Sequence, residues 1–274
     1  MNNIDNQKTL LEVKQIFQFM KLELDKLFEN LSTYNDVIEV DRKEVWVYNH
    51  IKKLRPSFDL IFQISELNSI SSLCTMLRMI VDNYAILYLF TSHSNKNEQL
   101  IRYYLYLLDA LQVRSKLIND STEMSEDSKT DSYNALCADE IARKRILEII
   151  ADNQLDQIVN DKILQSRNWK FKDSEGNDRN NKYKWTELYK LSKIPERDAE
   201  IIQEYYSSFV HGLGISFMLR ESDDLIHHII YTLEVCNIIL SKIMNIIIRE
   251  FHEETKLIDC QSGLLTYSEK MNWE

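Results

Sequence analysis

Apolar side chains recur every three or four residues through most of this chain, which is the spacing of helices with one buried face. The first stripe spans 4–31 and comprises Leu10, Val13, Phe17, Met20, Leu24, Leu27 and Leu31. Similar patterns predict helices at 36–54 (ending before Pro56), 60–90, 97–118, 133–164, 185–192, from Pro195 onward, and 222–254. The run Val45 to Tyr48 would also fit a strand, but no second strand-like run offers it a partner. The pattern therefore predicts an all-α bundle of about seven or eight mostly long helices.

Two polar stretches interrupt these helices. Residues 120–132 and 172–184 are expected to be mobile, exposed loops, and Trp169 and Trp185 are expected to anchor the ends of the second loop. The 60–90 helix is expected to bury Leu67, and Ile141 is placed on the inner side of the 133–164 helix. Because no Pro- or Gly-rich linker divides the chain, we expect a single domain over 1–274.

Composition narrows the function classes. The net charge of -10 argues against a general nucleic-acid-binding surface, although a local basic site stays open. The 4 cysteines form no CxxC pair, which favours a reducing cytoplasm over a zinc site or a disulfide framework. The N-terminus lacks an apolar signal core, and Glu234 and Lys242 interrupt the most apolar stretch, 225–248. A cytoplasmic protein without a membrane span is therefore expected.

A histidine in a setting of small and polar residues is the leading candidate for chemistry. On a helix, His211 shares a strip with Glu204, Ser207 and Ser208, and the glycines at 212 and 214 follow it. A histidine at a helix C-terminus suits general acid–base work near neutral pH. The alternative is a core histidine bonded to a serine, with the glycines serving close helix packing.

An arginine in an almost unbroken apolar helix is the second candidate. Arg78 needs a partner if it is buried, and Asp82 lies one helical turn further on. The pair is either a structural ion pair or a guanidinium held for binding a phosphate or a carboxylate.

The other chemical patterns are weaker. Asp223 with His227, and Asp224 with His228, have helical spacing that could bind a metal, although helix capping and a solvated face explain them too. Phosphate-loop, nucleophile-elbow, zinc-protease and dinucleotide motifs are missing. We therefore expect neither a resident metal nor a cofactor.

Three separated segments form one sequence pattern: Leu77-Arg78-x-x-x-Asp82, then Trp185, then Tyr205-x-x-Ser208-x-x-His211-Gly212. It resembles an all-α bacterial domain of unknown function related to the HEPN superfamily, named for nucleotide binding in higher eukaryotes and prokaryotes. The similarity covers about 60–254. Asp82 stands where the domain would have Glu.

The resemblance implies a metal-independent ribonuclease of a toxin–antitoxin or phage-defence system, acting on RNA as a homodimer. Such enzymes use an Arg-x(4–6)-His motif, but no arginine precedes His211 at that spacing, and the literal match of Arg220 with His227 straddles a predicted helix start. Arg78 would then supply the guanidinium from a neighbouring helix. The candidate catalytic residues are His211, Arg78, Asp82, Ser208 and Tyr205.

Two other functions stay open. The same residues could serve structure in a non-catalytic helical module that binds a nucleotide or regulates a partner protein. A metal-dependent helical enzyme using Asp223 and His227 is the third interpretation.

Overall fold

Helices make up the architecture, and the described part of the chain contains no strand. The computed structural model describes residues 3–34, 42–67, 69–120, 126–176, 180–210 and 225–255. The predicted all-α class is confirmed. In particular, the strand-like run Val45 to Tyr48 is helical.

Eleven α-helices lie in the described ranges, more than the seven or eight predicted, because several are very short. Their bounds in chain order are α1 Asn3–Glu29, α2 Lys43–Glu66, α3 Ile70–Thr91, α4 Lys96–Asn119, α5 Glu126–Asp152, α6 Asp161–Ser166, α7 Trp185–Leu191, α8 Glu196–Glu200, α9 Ser207–Val210, α10 Leu225–Glu250 and α11 His252–Thr255. A π-helical segment, Ile201–Tyr206, joins α8 to α9. Short 3₁₀ turns occupy Ser32–Tyr34 and Leu155–Gln157.

The described residues fall into two compact units. The first unit draws on 1–37, 44–88 and 185–274, and the second on 38–43 and 89–184. The expectation of a single domain stays a prediction.

In the first unit, α1 and α10 run in the same direction against each other. Asn6 lies beside His227 at one end, with 3.4 Å between Nδ2 and Nε2. At the other end, Tyr34 donates to Glu254 at 2.8 Å. The predicted stripe of α1 is buried from residue 13 onward, and α10 buries its own stripe, including Leu233, Leu240, Met244 and Ile247. The apolar faces of both helices thus form the core of this unit.

Helix α2 continues through a proline that was expected to end it. Pro56 is exposed, so the carbonyl that loses its helical partner lies on the solvent side, where water can satisfy it. On either side of it, Leu54 and Phe58 continue one buried stripe. Packing of that stripe offsets the cost of the missing hydrogen bond.

The predicted 60–90 helix is in fact two helices. Helix α2 ends at Glu66, and α3 begins at Ile70 behind Ser69, whose hydroxyl accepts from the backbone of Ser72 at 3.4 Å. Leu67 stands at the break and is 74% exposed, so its predicted burial is wrong.

Helix α5 differs from its prediction at both ends. It begins at Glu126, inside the stretch predicted as a loop, of which 121–125 lie outside the described residues. It ends at Asp152 instead of 164, and Ile141 is 69% exposed. Its buried apolar residues, Ile146, Ile149 and Ile150, all lie near its C-terminal end, so little of the helix packs against the core.

A buried arginine organises the second unit. Arg102 of α4 is fully buried and donates to Glu98 at 2.6 Å and to the carbonyls of Trp169 and Phe171 at 3.1 and 2.8 Å. Its guanidinium also lies 3.6 Å from the centre of the Phe171 ring. This contact fixes the loop that follows α6, and Trp169 is buried as predicted.

Helices α3 and α10 are long and apolar enough to span a membrane by length and composition alone. However, 67% and 72% of their most apolar windows are buried inside the protein, and core helices of water-soluble proteins pass the same test. They are a weak indication of a membrane span, and the cytoplasmic location stays a prediction.

Two leucines on α1 test the packing of the first unit. We expect Leu24→Ala to lower the free energy of unfolding by about 2–5 kcal/mol, because Leu24 is 1% exposed and its loss leaves a cavity. The matched control Leu22→Ala removes a side chain that is 57% exposed and should cost less than about 0.5 kcal/mol. Urea unfolding measures both, and equal losses would contradict the orientation of α1.

Candidate functional site

The predicted ion pair of α3 is present and largely buried. Arg78 Nε donates to Asp82 Oδ1 at 3.0 Å, and Arg78 as a whole is 8% exposed. Helical spacing of four residues places the two side chains on one face. Burial makes the pairing obligatory, because an unpaired buried charge costs several kcal/mol.

A second acceptor for Arg78 comes from another helix. Arg78 Nη1 donates to the hydroxyl of Ser207, the first residue of α9. The resemblance implies that Arg78 contacts the segment that ends in His211. In the structure Arg78 contacts that segment at Ser207. The neighbouring candidate Ser208 turns its hydroxyl to the carbonyl of Tyr205 at 2.6 Å, within its own helix.

The π-helical segment before α9 decides which serine faces Arg78. The backbone N–H of Ser207 reaches the carbonyl of Ile202, five residues back, instead of four. One wider turn of this kind shifts all later side chains by about one position relative to a regular α-helix. A regular α-helix would place Ser207, Ser208 and His211 on one face, as the sequence pattern was interpreted. The pattern therefore could not show which serine contacts Arg78. The segment contains no proline or glycine that would signal the change.

Two aromatic residues of α7 complete the surroundings of Arg78. Tyr189 donates its hydroxyl to Asp82 Oδ1, and its ring centre lies 5.2 Å from the guanidinium carbon of Arg78. The ring centre of Trp185 lies at 5.9 Å from the same carbon. These are cation–π distances. We call Arg78, Asp82, Trp185, Tyr189 and Ser207 the Arg78 cluster.

Sequence reasoning missed Tyr189, and it named Trp185 only as a loop anchor and through the resemblance. The spacing of four residues between them puts both rings on one face of α7 and was the available signal. Burial, followed by the charge of Asp82, raises the pKa of Tyr189 well above its ordinary value. The Tyr189 hydroxyl therefore stays protonated and acts as a donor.

Tyr205 contacts a histidine of α10. Its hydroxyl lies 3.3 Å from His228 Nε2, and the two rings stack with centres 5.7 Å apart. Its hydroxyl is thus engaged away from the Arg78–Asp82 pair. The sequence pattern indicated His228 only as a possible metal ligand, together with Asp224.

The remaining sequence candidates have different outcomes. His211 and the glycines after it, as well as Asp223 and Asp224, lie outside the described residues. Helix α9 is described to Val210, which immediately precedes His211 in the chain. No group of three or more potential metal ligands occurs in the described ranges. The role of His211 stays a prediction.

No protein-family model, curated protein or solved structure matches this chain. The resemblance to the HEPN superfamily therefore stays a prediction that depends on the residues quoted for it. The geometry of the Arg78 cluster is the firmest guide to function.

The raised pKa of Tyr189 gives a test in alkaline solution. In the unfolded chain this tyrosine loses its proton near pH 10, whereas in the folded chain it keeps it. Above that pH the unfolded state binds fewer protons, so the hydrogen bond and the burial of Tyr189 contribute less stability as pH rises.

We expect Tyr189→Phe to lower the free energy of unfolding by about 1.5–3 kcal/mol near pH 8, because a hydrogen bond to a carboxylate is lost. The difference from wild type should shrink above pH 10, as measured by urea unfolding across that range. A difference that stays constant would show that Tyr189 ionises equally in both states, and one that grows would show that folding lowers its pKa. Either result would contradict the prediction.

Proposed function

We propose that this chain is an HEPN-like, metal-independent endoribonuclease whose site combines Arg78 with His211. The observation that carries the proposal is the hydrogen bond from Arg78 to Ser207. It joins α3 to the segment that leads into His211, as a shared site requires. A guanidinium has five N–H donors; Asp82 and Ser207 accept from two of them, and Tyr189 lies within hydrogen-bonding reach as well. In this proposal the remaining donors bind phosphate oxygens.

The chemistry assigns a role to each group. The 2′-hydroxyl of RNA attacks the adjacent phosphorus, the bond to the 5′-oxygen breaks, and a 2′,3′-cyclic phosphate and a 5′-hydroxyl form. His211 moves the proton at one of these two oxygens. Arg78, oriented by Asp82, stabilises the negative charge that develops on the phosphorane. Ser208 positions the turn that precedes His211, because its hydroxyl donates to the backbone carbonyl of Tyr205, and Tyr205 is held in turn by His228.

The biological setting follows from the same resemblance. The protein would be a cytoplasmic homodimer that acts as an effector of a bacterial phage-defence or toxin–antitoxin system. The net charge of -10 requires that RNA contact a local site and not a general basic surface.

A second function is favoured by the burial of Arg78. Arg78 is 8% exposed as a whole residue and is already bonded to Asp82 and Ser207, which also suits a purely structural role. The chain would then be a non-catalytic helical module that binds a nucleotide or regulates a partner protein. Removal of His211 slows RNA cleavage if the chain is a ribonuclease, whereas it changes no reaction if the chain is a non-catalytic module.

Cleavage of labelled RNA in EDTA distinguishes the two functions. We expect wild type to cleave RNA without metal and to arrest growth when expressed. His211→Ala should reduce the cleavage rate by about 100-fold or more, the usual contribution of an acid–base residue.

The control is His252→Ala, which removes an exposed histidine of α11 and should cleave as wild type does. Thermal unfolding of each variant confirms that it folds. Absence of both cleavage and growth arrest in wild type would contradict the ribonuclease, as would an unchanged rate in His211→Ala.

A further inference from the structure

A cleft in the second unit lies apart from the Arg78 cluster in sequence and is not used by the proposed reaction. Its volume is about 290 Å³, at the lower end of the roughly 300–1,000 Å³ typical of small-molecule sites. It is formed by α6, the loop after α6 and one residue of α4. Most of its lining residues are of polar types, and three of them are cations: Lys162, Arg167 and Lys182.

The charge of this cleft is opposite to that of the chain. Among its lining residues, Asp109 is the single carboxylate against the three cations, whereas the whole chain carries -10. Asp109 accepts from the indole N–H of Trp169 at 3.3 Å and is half-buried, so it can accept a further hydrogen bond. The cleft thus offers charge for an anion and one acceptor for a hydroxyl.

Hydrogen bonds of Asn181 tie together the described parts of the loop that forms one wall. Asn181 is 7% exposed; its oxygen accepts from the backbone N–H groups of Lys172 and Asp173 at 2.9 and 2.8 Å. Its amide group donates to the carbonyls of Asp173 and Gly176 at 2.7 and 2.8 Å. A Cβ on Gly176 would come within 2.6 Å of this amide. The prediction that 172–184 is wholly exposed is therefore wrong at Asn181, and the wall is preorganised for binding.

Arg167 occupies a backbone position where glycine is favoured. It ends α6 with φ 51°, in the left-handed region that a glycine adopts without steric cost. Its side chain reaches Gln112 through Nη1, beside the cleft that it lines.

We propose that this cleft binds a small phosphate ester that also carries hydroxyl groups. Arg167 and Lys182, with Lys162, neutralise the phosphate, and Asp109 accepts from a hydroxyl of the ligand. A base is not the recognised part, because Trp169 is only 8% exposed and packs in T-shaped contacts with Phe90 and Tyr106, with ring centres at 5.9 and 5.1 Å. The volume fits a sugar phosphate.

Calorimetric titration at low salt tests the site with ribose 5-phosphate, adenosine 5′-monophosphate, inorganic phosphate and ribose. We expect saturable binding of both esters, weaker binding of inorganic phosphate, and no binding of ribose. Equal affinity for the two esters identifies the sugar phosphate as the shared ligand, whereas a requirement for the base would overturn the assignment. Binding of an RNA oligonucleotide without binding of either ester would also overturn it.

The variants separate loss of binding from loss of folding. Arg167→Gly removes the guanidinium and relieves the left-handed backbone, so the thermal midpoint should stay unchanged or rise while affinity for the esters falls about tenfold or more. Lys182→Gln should weaken binding similarly. The matched control Lys144→Gln removes an exposed charge of α5 outside the cleft and should bind as wild type does. Unchanged affinity in the double variant of Arg167 and Lys182 would contradict the proposal.

Discussion

The burial of one positive charge, on Arg78, constrains the arrangement of the first unit. A guanidinium that is 8% exposed needs acceptors, and α3 alone supplies only Asp82. Ser207 and the aromatic rings of α7 provide the remaining contacts. Three helices that are distant in sequence are thereby held at one point. Any function at this point depends on whether a ligand uses the remaining donors of the guanidinium.

The π-helical segment, Ile201–Tyr206, precedes the serine that contacts Arg78. A regular helix through Ile201–Tyr206 would present a different side chain to Arg78, since the wider turn shifts every later side chain by about one position. The wider turn brings Ser207 to the guanidinium, whereas the Ser208 hydroxyl donates to the backbone carbonyl of Tyr205. Wider turns of this kind are frequent at functional sites.

Sequence periodicity predicted the helices whose burial follows one regular stripe, such as α1, because local spacing alone determines which side is covered. It failed where a tertiary contact overrides a local preference, as at Pro56, whose helix is held by the buried stripe around it. The pair of Arg78 with Asp82 was predictable from spacing within one helix. The contacts with Ser207 and Tyr189 join different helices, so no local pattern specified them. Similarly, Arg102 and Asn181 donate hydrogen bonds to backbone carbonyls of a loop. The amino-acid composition of that loop shows only that it is polar, so these bonds could not be predicted.

The most direct test is the free energy of interaction between Arg78 and Ser207 in a double-mutant cycle. Arg78→Met, Ser207→Ala and the double variant are unfolded in urea and compared with wild type. If the two side chains hold α3 to α9, their losses will be non-additive, with a coupling energy of at least about 1 kcal/mol. Additive losses, with a coupling energy near zero, would contradict the contact on which the Arg78 cluster and the proposed site depend.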